Sequence, residues 1–294
     1  MNKPLLISNE QATVGVTLKG GCMTSYSLAT ADGKFDILKS FGQRNKASFP
    51  LIPYSNRIKD GRFVFEGTEY QLPLNFGDHP HSIHGVGWQE EWSVSNHVED
   101  CIVLELIHDG TVWPFPFKAI QTVKLSGVDL YNEIQLTNLA TTSMPAGLGM
   151  HPYFPRHGKA TLTAKVGEVW KTDDTCLPIE KISCPSNWNL TAGANVGELY
   201  CDNQFDPWPG TAYINWPDKK ASVTLTSSED LNRLVVYAPK DEEFLCVEPT
   251  SHITDAFNHA SQGKSQQETG MRILEPNETW TVWMKLSPQL NLNV

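Results

Sequence analysis

The stretch FKAIQTVKLSGVDLYNEIQL, residues 117–136, decides the fold class. Apolar and polar side chains largely alternate in each half, and a period of two is typical of a strand with one buried face. Between the halves, Ser126-Gly127-Val128-Asp129 supplies residues that favour a turn. The simplest interpretation is a β-hairpin with one apolar face.

Similar short runs recur at residues 62–65, 102–107, 223–225, 234–237 and 280–286. In the last run the even-numbered residues are apolar and would face a core, and Trp283 is the exception to the alternation. No window shows a sustained 3.6-residue period, and 21 Gly and 19 Pro interrupt the chain too often for long helices. The sequence therefore predicts an all-β fold, a large single-domain β-sandwich spanning residues 1–294.

Charge and composition limit the classes of partner. The chain has 23 Lys and Arg against 33 Asp and Glu, a formal net charge of −10, and no basic cluster, which argues against nucleic acid. It has no run of about 18 apolar residues and no apolar signal core near Met1, so no membrane partner and a cytoplasmic location are predicted. Six cysteines without a C-x-x-C pair disfavour a zinc knuckle. A small-molecule ligand and a monomer or homodimer are expected.

Four short stretches combine hydrogen-bond donors with titratable groups. Arginine and histidine donate to hydroxyl oxygens, histidine exchanges a proton near neutral pH, and glutamate can act as a base. Together these groups favour a sugar site assembled by the fold. The stretches are Asn56-Arg57-Ile58, His84-Gly85-Val86-Gly87-Trp88, His151-Pro152-Tyr153-Phe154 and Val247-Glu248-Pro249.

Each candidate also has a purely structural interpretation. Pro152 restricts His151 to extended geometry at a strand end, where most single histidines are simply packed and hydrogen bonded. Glu248 follows an apolar run and is either a desolvated carboxylate or a solvated strand-end charge, with equal weight. Arg57 taken alone fits a surface ion pair.

Two further sequence patterns have to be considered, one as a candidate metal site and the other as a candidate long loop. His79, His81 and His84 are close in sequence, but they lack the helical H-x-x-x-H spacing, so hydrogen bonding to a ligand is preferred and no metal is predicted. Residues 187–209, rich in Asn, Gly, Asp and Trp, predict a long loop. Within it, Asp202 would accept from sugar hydroxyls and Trp208 would stack on a sugar face. Trp88 could stack likewise, but core packing is the alternative for both tryptophans and is preferred for Trp88.

The four stretches, in this order along nearly the whole chain, resemble those of the aldose 1-epimerase (galactose mutarotase) family. The resemblance implies a large β-sandwich around a sugar cleft and an activity that needs no cofactor. His151 would be the general acid and Glu248 the general base. Asn56, Arg57 and His84 would bind substrate.

Some details depart from the family pattern. Cys201-Asp202-Asn203-Gln204-Phe205 is similar to a sugar-binding leucine-aspartate-x-x-phenylalanine loop, with cysteine in place of leucine and Asp206 as an adjacent competitor for Asp202. The H-G-x-G-W form resembles an uncharacterised bacterial branch more than the galactose-specific enzymes, which leaves the sugar open. The alternatives are a non-catalytic carbohydrate-binding or sugar-sensing protein and a hexose-phosphate mutarotase. A phosphate would need further cations, for which Arg57 and Arg62 are the candidates.

Overall fold

The computed structural model describes residues 3–41 and 45–290. Strands dominate these ranges and helices are short, which confirms the predicted all-β class. The strands are β1 (Leu5–Ser8), β2 (Ala12–Thr17), β3 (Cys22–Thr30), β4 (Gly33–Lys39), β5 (Pro50–Leu51), β6 (Arg57–Ile58), β7 (Arg62–Phe65), β8 (Thr68–Gln71), β9 (Ser82–Ile83), β10 (Ser93–Val98), β11 (Cys101–His108), β12 (Phe117–Ser126), β13 (Asp129–Asn138), β14 (Met144–Ala146), β15 (Gly149–Met150), β16 (Tyr153–Pro155), β17 (Thr161–Ala164), β18 (Glu168–Thr172), β19 (Pro178–Ser183), β20 (Ala194–Asn195), β21 (Cys201–Asp206), β22 (Thr211–Trp216), β23 (Ala221–Ser227), β24 (Arg233–Ala238), β25 (Phe244–Thr250), β26 (Arg272–Leu274) and β27 (Thr279–Leu290). The helices are α1 (Val196–Leu199), α2 (Ala256–Ser261) and α3 (Gln266–Thr269), with 3₁₀ turns at Lys59–Gly61, Ser186–Trp188, Leu190–Ala192 and Pro217–Lys219.

The predicted hairpin is present as β12 and β13. The two strands pair antiparallel down to Ser126 and Asp129, and Gly127 adopts a left-handed φ of 59° in the turn. Buried and partly exposed residues alternate along both strands, because one face of each lies on the core. The period-two pattern therefore predicted both the pairing and the buried face.

The position of Trp283 on β27 explains why this residue interrupts the alternation of apolar and polar side chains. Trp280, Val282, Met284 and Leu286 are buried as predicted. Trp283 lies on the opposite face, with its ring centroid 5.8 Å from that of Tyr131 on the neighbouring strand. The exception is therefore a cross-strand aromatic pair on the outer face.

Two large antiparallel sheets form the sandwich. Their strand orders are β10-β11-β12-β13-β27-β23-β22-β17-β20 and β19-β18-β21-β24-β25-β15-β5, with β16 also paired to β25. One apolar cluster joins Ile134 and Val282 of the first sheet to Val236 and Val247 of the second. A four-stranded sheet, β1 to β4, precedes them. No helix within residues 3–41 and 45–290 is long and apolar enough to cross a membrane; the single-domain assignment stays a prediction.

Strand β25 separates the main core from a second apolar cluster. Leu245 and Val247 belong to the main cluster, whereas Phe244 and Cys246 belong to a smaller cluster on the other face. Because side chains alternate along a strand, Glu248 shares the face of Phe244 and Cys246. The fold thus places a carboxylate at the edge of an apolar pocket.

The prediction of a long loop over residues 187–209 is wrong for most of its length, because the range contains two 3₁₀ turns, β20, α1 and β21. Residues Cys201–Asp206 form β21, which pairs with β18 and β24 inside the second sheet. The polar side chains of this strand have partners: Asn203 donates to the Trp170 carbonyl at 2.9 Å and Gln204 to the His252 carbonyl at 2.8 Å. Buried polar residues are compatible with a central strand when they are hydrogen bonded.

Candidate active site

A cavity of about 260 Å³ opens beside β25. Its volume lies just below the usual range for ligand pockets, about 300–1,000 Å³, and suits a molecule of monosaccharide size. All six site residues predicted from the sequence line it. The lining consists of Lys46, Phe49, Asn56, Arg57, Phe76, Ile83, His84, Trp88, His151, Tyr153, Asp202, Val235, Tyr237 and Glu248.

His151 and Glu248 are brought together by strand pairing. Gly149 pairs with Thr250 and Tyr153 with Cys246, and in this shared register His151 lies opposite Glu248. Nε2 of His151 is 3.2 Å from Oε1 of Glu248. The pairing, rather than any local motif, therefore sets the distance between the two candidate proton-transfer groups.

The environment of this pair is largely apolar. The His151 ring stacks on Phe49 and Tyr153, with centroids 4.5 and 4.8 Å apart. Burial raises the pKa of Glu248 well above its ordinary value; Asp202 raises it further and Arg57 opposes the change. A carboxylate with a raised pKa is a stronger proton acceptor than an ordinary one once it is ionised. Glu248 is therefore suited to act as a base.

Asn56 and His84 hold each other through reciprocal hydrogen bonds. The Asn56 N–H donates to His84 Nδ1 at 3.0 Å, and the His84 N–H donates to the Asn56 carbonyl at 2.8 Å. Both residues have a left-handed φ, 58° and 62°. A Cβ on the next residue, Gly85, would lie 1.9 Å from the Ile52 carbonyl oxygen, so sterics require glycine after His84. Strained backbone of this kind is typical of functional sites.

The same contact defines the protonation of His84. Burial lowers its pKa well below the ordinary value, and His151 and Arg57 lower it further. A neutral ring carries one proton, and because Nδ1 accepts from Asn56 that proton is on Nε2. His84 can therefore donate a hydrogen bond to a ligand oxygen.

Three partners hold the Arg57 guanidinium. Nη1 donates to Asn56 Oδ1 at 2.7 Å, Nε to His79 Nε2 at 3.3 Å and Nη2 to Asp202 Oδ2 at 3.3 Å. Its side chain is only 11% exposed. The planar fork is thus pre-organised at the cavity wall and Asp202 balances its charge.

The structure separates Asp202 from its competitor Asp206. Asp202 lines the cavity, whereas Asp206 lies four residues further along β21, about 13 Å away. There its Oδ2 is 2.9 Å from Lys181 Nζ and 3.7 Å from Arg233 Nε.

Trp208, predicted as a stacking ring, is buried and does not line the cavity. The aromatic rings that line the cavity are Phe49, Phe76, Trp88, Tyr153 and Tyr237.

The three closely spaced histidines have hydrogen-bond partners of different kinds, and the His81 N–H donates to His79 Nδ1 at 3.2 Å. His79 accepts from Arg57, and His81 accepts from the Asp60 N–H and is 2.9 Å from the Thr175 hydroxyl. In the part of the chain that the structure describes, potential metal-ligand atoms converge instead at His151, Cys246 and Glu248, within 4.8 Å of one another. A metal bound there would occupy His151 and Glu248, which are also the two candidate proton-transfer groups.

Sequence reasoning missed several lining residues. Phe76 and Lys46 stand in stretches without a recognisable pattern, and Tyr237 ends an apolar run that reads only as a strand. Arg62, considered as a phosphate ligand, instead donates to Gln71 at the surface. Only the tertiary fold identifies Lys46 as a cation of the cavity.

Comparison with known proteins defines the family. The family described as aldose 1-epimerase matches residues 3–287, and the chain belongs to it. The Escherichia coli K12 protein YphB, itself described as uncharacterised, is 28% identical over 95% of this chain and 97% of its own. Galactose mutarotase of Rattus norvegicus is 26% identical over 61% of this chain and 55% of its own. A galactose mutarotase-like protein from Clostridium acetobutylicum has the same fold, with a TM-score of 0.83 at 20% identity over 97% and 94% of the two chains.

Proposed function

We propose that this protein is an aldose 1-epimerase, which interconverts the α and β anomers of an aldose. The observation that carries the proposal is the 3.2 Å contact between His151 and Glu248 at the wall of a sugar-sized cavity. Family membership supports the reaction class. An acid and a base are the two groups that mutarotation requires.

The reaction begins with removal of the proton from the anomeric hydroxyl by ionised Glu248. The bond between C1 and the ring oxygen then breaks, its electron pair goes to the ring oxygen, and protonated His151 supplies a proton there. The open aldehyde turns about the bond between C1 and C2. The ring recloses on the other face of the carbonyl as both protons return, so the enzyme ends in its starting state.

The remaining polar residues would hold the sugar. Arg57 and the Nε2–H of His84 are donors for hydroxyl oxygens, and Asp202 is an acceptor for hydroxyl hydrogens. Trp88 and Phe49 offer ring faces to the C–H groups of a pyranose. None of these steps calls for a cofactor.

Polarimetry of freshly dissolved single anomers tests the proposal. The protein should accelerate the approach to the equilibrium rotation for at least one aldose in a panel that covers gluco, galacto, manno and xylo configurations. Binding of a sugar without any acceleration would instead favour a non-catalytic carbohydrate-binding protein. Heat-treated protein at the same concentration is the control for buffer catalysis.

A further inference from the structure

Lys46 is a cavity residue that the acid–base mechanism does not use. Its Nζ lies 4.0 Å from the centroid of a Trp88 ring and 5.4 Å from that of Phe49. Both rings line the cavity. The ammonium group is therefore held against the aromatic wall on which a sugar would stack.

Among the residues that the structure describes, no carboxylate lies near enough to Lys46 to balance its charge. Arg57, the other lining cation among the described residues, is paired with Asp202. Within residues 3–41 and 45–290, no carboxylate oxygen lies within 4.0 Å of the Lys46 ammonium. Burial lowers the pKa of Lys46, as expected for a partly desolvated cation. An anionic ligand would supply the missing counter-charge.

The position of Lys46 suits a substituent on the sugar rather than the reacting centre. The Phe49 ring that it approaches also stacks on His151, so the ammonium is one aromatic ring away from the candidate acid. Lys46 also lines a neighbouring cavity of about 370 Å³, together with Lys3, Lys19 and Glu91. There is thus room and positive charge beside the sugar cavity for a bulky anionic group.

We propose that Lys46 recognises an anionic substituent, so that the preferred substrate is an acidic aldose carrying a carboxylate or a phosphate. This inference rests on the proposed function and deepens it by naming the class of substrate. A neutral hexose would leave the ammonium facing an uncharged hydroxyl. A charged oxygen would accept a charge-assisted hydrogen bond, which is about twice as strong as a neutral one.

The competing interpretation is that Lys46 serves only as an apolar stem packed on Trp88. Lys46→Met keeps most of that stem and removes the charge, and Lys46→Arg keeps the charge. Lys124→Met is the matched control, because Lys124 is an exposed lysine on β12 that does not line the cavity. Comparing Lys46→Met with Lys46→Arg distinguishes the effect of the charge from that of packing. Comparing Lys46→Met with Lys124→Met distinguishes a charge at the cavity from the total charge of the protein.

The kinetic experiment compares kcat/KM for glucuronate, glucose 6-phosphate and glucose, and for the corresponding galacto series, at low ionic strength. We expect at least one anionic sugar to exceed its neutral counterpart by about tenfold or more, the effect of one hydrogen bond to a charged group. Lys46→Met should abolish that preference through KM, whereas Lys46→Arg and Lys124→Met should retain it. Whichever of glucuronate and glucose 6-phosphate has the higher kcat/KM shows whether the anion is a carboxylate or a phosphate. Equal turnover of acidic and neutral sugars, or an equal loss for both in Lys46→Met, would overturn the inference.

Calorimetry with a Glu248→Gln variant measures sugar binding without turnover. It therefore tests the anionic ligand independently of the proposed reaction. Binding of an anionic sugar that depends on Lys46, without mutarotation by the unmodified protein, would reject the epimerase proposal and support the anionic ligand. Mutarotation without an anionic preference would reject only the role of Lys46. Absence of both binding and turnover would reject both.

Discussion

His151 and Glu248 face each other across paired strands, and their Nε2 and Oε1 atoms are 3.2 Å apart. Strand pairing on either side of His151 fixes this relationship, since β15 and β16 both pair with the strand that carries the glutamate. Opposite residues in an antiparallel pair have Cβ atoms about 4.5–5.5 Å apart, which is the range from which two such side chains can meet.

Replacing Glu248 by glutamine should reduce the mutarotation rate about 100-fold or more, because an amide of the same size cannot take the anomeric proton. Thermal unfolding should show that the fold is intact. The variant removes a buried carboxylate that is costly to ionise, so its melting temperature should not fall. A glutamine variant with a normal rate on every sugar that it binds would refute the assignment of the base.

His151→Asn should abolish turnover and leave sugar binding largely unchanged. The proton donor is lost, but Arg57, His84 and Asp202 still provide hydrogen bonds to hydroxyl groups. Calorimetry should give a dissociation constant within a few-fold of the original, while polarimetry shows no acceleration. If most of the rate survived, the proton donor would be another group.

The acidic limb of the profile of kcat/KM against pH should report Glu248 and lie above the usual range for a glutamate. Burial is the main cause of its raised pKa, and Asp202 adds to it. The rate needs ionised Glu248, so it should rise as the pH increases through that pKa. In Asp202→Asn the limb should move to lower pH, because one cause of the raised pKa has been removed. An unmoved limb would mean that another group titrates there.

Asp202 and Asp206 offer a matched pair of substitutions to asparagine. Asp202→Asn should raise KM about tenfold, since it weakens the contacts of a cavity acceptor and of Arg57. Asp206→Asn should leave KM unchanged and lower the free energy of unfolding by about 1–3 kcal/mol, because buried Arg233 loses its carboxylate partner. Steady-state kinetics and denaturant titration of both variants test this. The reverse pattern would assign the sugar contact to Asp206.

Metal removal distinguishes proton transfer from metal-assisted chemistry at the same residues. Dialysis against a chelator should leave the rate unchanged, and Cys246→Ala should retain most of it, because the acid–base mechanism makes no use of that thiol. Added Zn²⁺ should inhibit, since imidazole, thiolate and carboxylate are its preferred ligands and two of these residues are the proposed acid and base. Loss of activity on chelation with recovery on adding metal would contradict the mechanism.

The sequence predicted the strands whose side chains alternate regularly, because alternation is a local property. The buried faces of β12, β13 and β27 follow from it directly. Strand β21 was missed because its polar residues are satisfied by partners that are distant in sequence, such as the Trp170 and His252 carbonyls. No local pattern reports such partners.

Within the site, the sequence identified the residue types that proton transfer and hydroxyl binding require. It named Asp202 but could not exclude Asp206 as a competitor, because only the position along β21 relative to the cavity separates them. It also gave no signal for Lys46, which reaches the cavity through contacts with Trp88 and Phe49. The sequence therefore indicated the residues suited to the proposed chemistry better than it indicated the remaining residues of the cavity wall.

Glu248 lies in a strand that is paired on both of its edges, with Val235 on one side and with the segments that flank His151 on the other. The candidate acid and base are therefore held in place by strand pairing on both sides of His151, and not by a loop. In the proposed reaction, the group that has to turn is then the opened sugar, about its bond between C1 and C2. Because both anomers must form, the site has to leave the aldehyde end free to turn, so the contacts that position the ligand should be made to the rest of the sugar.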